Sequence, residues 1–155
     1  MSWLRNPWLT LGTSVVLGGT FLWFCYHKIA DPPDFAKVVF NYKILPGELI
    51  NLCAIYLPWL ELFAGLAVFT GLGRRGGALA LGFLCLLFIG ALSFNLYRGH
   101  PTICGCSSTF AEGQTLTTAQ KFSQMWQDIW RDIGLFLLAL QILYASPRAE
   151  NLNGA

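Results

Sequence analysis

The sequence has 155 residues, of which 55% are hydrophobic and 12% charged, with a formal net charge of +2. Soluble domains carry roughly 25% charged residues, so an ordinary soluble domain is excluded. The small net charge and the absence of a basic run exclude a nucleic-acid partner. The length suits one membrane domain over residues 1–155.

The first apolar stretch covers about 8–26, with Arg5 before it and Lys28 after it. It is long for a signal peptide, and no small-x-small cleavage site follows, so a retained helix is expected. Asp31-Pro32-Pro33-Asp34 stops it, because proline lacks an N–H and restricts the residue before it. Phe35, Val38, Val39 and Tyr42 then recur at helical spacing, which predicts a short interfacial amphipathic helix ended by Leu45-Pro46-Gly47. A second apolar stretch covers about 49–72 and contains Pro58, expected to kink the helix, and Glu61. Gly71 to Gly76 reads as a tight basic turn holding Arg74 and Arg75. A third stretch, about 77–97, carries no charge. A polar loop from Arg98 to about Gln124 follows. The fourth stretch, about 125–144, has Asp128, Arg131 and Asp132 in its first turns and is ended by Ser146-Pro147.

A bilayer core of ~30 Å is crossed by ~20 apolar helical residues. The expected fold is therefore an all-α, four-transmembrane-helix bundle. Its orientation follows Lys and Arg in short loops. Arg5, Arg74, Arg75 and Arg148 place both termini in the cytoplasm, against Lys28, Lys37, Lys43, Arg98 and Lys121 on the other face. The loop holding Cys104 then faces the periplasm or exterior of an inner (plasma) membrane, where disulfides persist. Trp3, Trp8, Trp126 and Trp130 read as interfacial belt residues. Lys28, Asp31, Asp128 and Asp132 read as snorkelling or solvated boundary charges, with Asp132 placed to hold Arg131.

Cys104-Gly105-Cys106 is the strongest chemical signal. Gly105 permits the turn that would bring two Cα atoms within the ~4.4–6.8 Å a disulfide needs. So small a ring is strained, and strained disulfides are the exchange-prone ones. Redox exchange is preferred; a permanent bridge or idle thiols, and capture of a soft metal by Cys104, Cys106 and His100, stay open. His100, four residues before Cys104, is a candidate to lower a thiol pKa. Glu61 lies ~18 Å into its helix at 1.5 Å per residue. An ionisable group at that depth costs ~2.5–3.5 kcal/mol and is a functional candidate by default. Arg131 is its expected partner, for structural locking or proton handling. Cys25 and Cys53, near the outer helix ends, are a weaker candidate relay pair, and Cys85 reads as an inert core thiol.

Several short patterns occur in a set order: Lys28-Ile29-Ala30-Asp31-Pro32 with Phe35, Tyr42 with Leu45-Pro46, and Leu57-Pro58-Trp59-Leu60-Glu61 with Gly65. Thr70-Gly71-Leu72, Arg98-Gly99, Cys104-Gly105-Cys106 and Arg131-Asp132 follow. Together, over about Phe21 to Tyr144, they resemble the MauE/DoxX-like membrane family. The resemblance implies a four-helix inner-membrane protein engaged in thiol–disulfide chemistry outside the cytoplasm. It also implies a periplasmic thioredoxin-like partner and a role in maturing a disulfide-rich periplasmic protein. The architecture is similar to the quinone-linked vitamin K epoxide reductase and DsbB-type bundles, whose C-x-x-C and further loop cysteines this chain lacks. Family members often follow Cys-Gly-Cys with Phe-Gly, where Ser107-Ser108 stand here. The reading is a thiol–disulfide oxidoreductase in which Cys104 and Cys106 exchange electrons with that partner and with a quinone or another carrier. The rival is a non-catalytic scaffold or soft-metal component.

Overall fold

A computed structural model describes residues 6–106 and 110–146 of the chain. Trp3, Arg5, Ser107, Ser108, Pro147 and Arg148 lie outside the described residues. The described chain is all-helical: α1 (Pro7–Ala30), α2 (Pro32–Asn41), α3 (Gly47–Thr70), α4 (Arg74–Tyr97), α5 (Phe110–Thr115) and α6 (Thr118–Ala145).

Local chemistry sets most of the ends. Asn6 caps α1 through its side chain, with Pro7 in the first helical position, where a missing N–H costs nothing. Asp31 closes α1 and opens α2, its carboxylate accepting from the Asp34 N–H at 3.2 Å. Gly71, at φ 82°, ends α3 in the left-handed conformation that glycine adopts without a Cβ penalty. Thr117 and Gln120 form a reciprocal capping box at the start of α6. α3 runs on through Pro58.

The four long helices pack as a ring in which α1 contacts α3, α3 contacts α4, α4 contacts α6 and α6 returns to α1. α2 lies on α3 and touches α5. Small residues let the backbones close in: a Cβ on Gly18 would sit 2.8 Å from the Gly65 carbonyl oxygen, and one on Gly77 2.7 Å from that of Ala64. Such close approach replaces the hydrophobic drive that lipid does not supply between helices. One core cluster joins Leu17, Phe21, Val68, Leu81, Leu84 and Ile142. A second joins Phe35, Val38, Tyr42, Leu92, Met125 and both loop cysteines.

α1, α3 and α4 are long and apolar enough to cross a membrane. Their outer faces expose Val16, Trp23, Tyr56, Phe63, Phe83 and Leu86. So much exposed apolar surface is foreign to a water-soluble monomer and natural in lipid.

The helix boundaries depart from the sequence expectations in three places. α1 runs to Ala30 and carries Lys28 inside it. The polar loop before the fourth stretch holds α5 and the opening turns of α6. Arg74 and Arg75 belong to the first turn of α4, after a turn at 71–73, and Arg75 donates to the Ser146 carbonyl at 3.3 Å.

Candidate functional site

The site forms where the α1 end, the α3 midpoint, the Cys104 loop and α6 converge. Lys28 lies on the inward face of α1, in register with Leu17, Phe21 and Cys25. Glu61 lies on the inward face of α3, in register with Ala54, Pro58, Gly65 and Val68. Lys28 is 3% exposed and Glu61 0%. The Lys28 ammonium donates to both Glu61 oxygens, at 2.7 and 2.9 Å. It also sits 5.0 Å from the Phe35 ring centroid and 4.9 Å from that of Phe88, so its charge is satisfied without water.

On the opposite side, Arg131 of α6 donates to Asp128 at 2.7 Å and to Asp132 at 3.0 and 3.2 Å. Its guanidinium covers the Phe24 ring at 4.9 Å. Both carboxylates are buried.

Cys104 and Cys106 lie between these two groups, 1% and 6% exposed. Their Sγ atoms face each other at 2.6 Å. Lys28 Nζ lies 3.9 Å from Cys106 Sγ, and Arg131 Nη2 3.7 Å from Cys104 Sγ. Each sulfur thus has its own cation. Gly105, at φ 68°, makes the turn between them; a Cβ there would meet Val38 of α2 at 2.8 Å. Tyr42, at the α2 C-terminus, donates its hydroxyl to the Cys104 carbonyl at 3.4 Å. α2 therefore covers the dithiol, with Phe35, Val38 and Tyr42 packed against it.

The hydrogen bond to Cys106, with burial, pushes the Cys104 thiol well above the ordinary range. Burial, with the nearby thiols, does the same to the Tyr42 hydroxyl, which stays a donor.

Of the sequence candidates, the fold brings Cys104, Cys106, Glu61 and Arg131 into one region. The expected Glu61–Arg131 pair is not formed. Lys28 reaches Glu61 from the adjacent α1, and Arg131 is held by the carboxylates of its own helix. Lys28, Asp128 and Asp132 are buried ion-pair members rather than solvated boundary charges; Asp31 alone of that group is exposed, as a helix cap. His100 is exposed on the turn after α4, its N–H donating to the Asn95 carbonyl. Among the described residues no hydrogen bond joins its ring to either thiol, so the cations at the pair are Lys28 and Arg131. The soft-metal triplet of Cys104, Cys106 and His100 is not assembled. Among the described residues no group of three or more His, Cys, Asp or Glu is placed to hold a metal ion. Cys25 is buried and donates to the Leu22 carbonyl, while Cys53 is half-buried on α3; no disulfide or hydrogen bond joins them among the described residues.

Fold and site together define a multi-pass, all-helical membrane protein that encloses a dithiol between two ion-paired cations. The chain belongs to the MauE family: residues 6–145 match the family described as Methylamine utilisation protein MauE. Its relatives include the methylamine utilization protein MauE of Methylophilus methylotrophus, 33% identical over 106 residues, 68% of this chain and 56% of that protein. The protein of the same name from Methylorubrum extorquens is 32% identical over 79% of this chain and 61% of its own length. That from Paracoccus denitrificans is 28% identical over 94% of this chain and 74% of its own. The chain thus spans little more than half the length of the first two. No solved structure matches it.

Proposed function

We propose that this chain is an inner-membrane thiol–disulfide redox protein in which Cys104 and Cys106 alternate between dithiol and disulfide. The observation that carries the reading is the pair itself: two facing sulfurs, each within 4 Å of a cation, the buried Lys28 for Cys106 and the half-buried Arg131 for Cys104. A cation beside a thiolate lowers the cost of its charge and raises its reactivity. Cys106 accepts from both the Lys28 ammonium and the Cys104 thiol, whereas among the described residues Cys104 accepts only from Arg131. Cys106 is then the attacking sulfur. Glu61 fixes Lys28 in position, and Asp128 and Asp132 fix Arg131. A closed step removes two electrons and two protons from the pair and gives them to a disulfide or another two-electron acceptor.

In this reading α6 is a fourth span. Asp128, Arg131 and Asp132 are paired with one another on its inner side, while Trp126, Trp130, Leu137, Leu140 and Tyr144 face outward. Lipid therefore meets an apolar face. Both termini lie in the cytoplasm, and the Cys104 loop opens towards the periplasm, where a thioredoxin-like protein is the soluble partner. The relatives' name, methylamine utilization, supports a setting in that system; maturation of a periplasmic protein is the role proposed for the chain within it.

Cys104→Ser should trap a mixed disulfide between Cys106 and the partner, and both single serine variants should lose activity in the cell. If neither variant captures a partner and neither loses activity, the redox reading is wrong and a scaffolding role remains. Thiol labelling in intact cells tests the orientation: a Cys104 loop reached only from the cytoplasm overturns the periplasmic exchange.

A further inference from the structure

The dithiol is closed towards α2 but not towards the bilayer. Phe35, Val38 and Tyr42 cover it, leaving almost none of either cysteine exposed. Yet Cys104 also forms part of the wall of a cavity of about 250 Å³ between α2, α3 and α4. Phe35, Tyr42, Leu57 and Phe88 stand in that wall with a second thiol, Cys53, and Leu87, half-exposed on the outer face of α4, stands at its rim. The wall is apolar, and its α3 and α4 side belongs to helices long and apolar enough to cross a membrane, while Ile44 and Leu45 close it at the α2 end.

The geometry points to this cavity as the site where a lipid-soluble quinone enters and oxidises the Cys104–Cys106 dithiol. The inference rests on the redox reading of the pair and adds the identity and route of the membrane-side acceptor. Three properties select the occupant. A dry cavity of roughly 150 Å³ already takes benzene, so this one suits a substituted six-membered ring. Aromatic walls favour a flat π-system. A thiol in the wall calls for an occupant that takes electrons, which an acyl chain cannot do. The Phe35 and Phe88 rings that line the cavity also flank the Lys28 ammonium, so positive charge stands directly behind the wall. In the step, both S–H bonds are lost and one S–S bond forms. The quinone takes up two electrons and two protons and leaves as the hydroquinone.

The test uses the full-length reduced protein in lipid nanodiscs, without oxygen, and ubiquinone-1 as the probe. Thiols lost and hydroquinone formed are counted together. The expected result is two thiols, at Cys104 and Cys106, lost per hydroquinone. Ala91→Trp fills the cavity from α4 and Leu87→Trp closes its rim. Each should slow ubiquinone-1 oxidation about tenfold, equivalent to ~1.4 kcal/mol. Diamide, a small thiol oxidant, should still oxidise the pair in both, which shows that the thiols remain competent, and unfolding midpoints in mixed micelles close to the parent's show that both variants are folded. If diamide closes the disulfide and ubiquinone-1 does not, the quinone site is refuted while the redox reading stands; a lipid chain as the occupant gives this result. Ubiquinone-1 oxidation at full rate in both tryptophan variants also refutes the site. If diamide itself forms no Cys104–Cys106 disulfide in the parent protein, the redox reading falls.

Discussion

Replacing Lys28 with methionine keeps the aliphatic stem and removes the ammonium, leaving the Glu61 carboxylate buried without its partner. The attraction lost is large in gross terms: about 6 kcal/mol at 2.7 Å for an effective dielectric of ~20. Burying both ions costs several kcal/mol each, so the intact pair is close to neutral overall. Breaking it from one side is another matter, because a lone buried charge costs ~3–5 kcal/mol. Lys28→Met should therefore lower stability by ~3–5 kcal/mol, and Lys28→Met with Glu61→Leu should recover most of that loss. Reversible unfolding in mixed detergent micelles, followed by tryptophan fluorescence, measures all the variants of the cycle. A Lys28→Met protein within ~0.5 kcal/mol of the parent would refute the buried pair, since that is the scatter of an ordinary surface change. A double variant as unstable as the two single losses added together would refute the coupling. The double variant should also react more slowly through Cys106, because the cation beside that sulfur is gone while the fold is kept.

Cys104, raised by its hydrogen bond and by burial, is protonated and neutral at pH 7. Its alkylation by iodoacetamide in the Cys106→Ala variant should begin only above the ordinary thiol pKa of about 8.5. That variant removes the hydrogen bond but not the burial, and a midpoint below that value would refute the assignment. Reduced parent protein should lose stability as pH climbs past the same point, because the unfolded chain releases the Cys104 proton first. Gly105→Ala puts a Cβ on a residue at φ 68° and 2.8 Å from Val38. The left-handed backbone alone costs ~1–2 kcal/mol, so α2 should loosen and maleimide labelling of the pair should speed up. Gly18→Ala forces α1 away from the Gly65 carbonyl and the Phe69 Cβ, at 2.8 and 2.9 Å. Overpacking of this kind costs ~1–3 kcal/mol, measurable in the same unfolding assay, whereas Gly12→Ala, with open space around it, should be silent.

The long apolar helices were legible in the sequence because lipid faces them on the outside and core on the inside, so almost every position is apolar. Their charged residues were harder to place. Composition shows that Lys28, Glu61, Asp128 and Arg131 exist, but only helical register shows which face they take. The register was readable. Lys28 continues the spacing of Leu17, Phe21 and Cys25, and Asp128 and Asp132 share the spacing of Met125, Leu135, Ala139 and Ile142. Expecting α1 to stop at residue 26 put Lys28 outside the bundle and left Arg131 as the apparent partner of Glu61. Complementary charge says that a carboxylate needs a cation, not which one. The start of α6 carried its own signal in Thr117 and Gln120, three residues apart. The cover formed by α2 had none, because it depends on how Gly105 and Val38 meet across distant parts of the chain.

Asp31 joins α1 to α2 with no slack: one residue ends the first helix and begins the second. Lys28 lies three residues on one side of it and Phe35 four on the other. A tilt of α2 away from the thiols therefore twists the very turn that carries the ammonium. Uncovering the sulfurs and retuning their charge become a single mechanical event about one fulcrum. A partner that pries α2 open would meet a pair whose reactivity has changed with its accessibility.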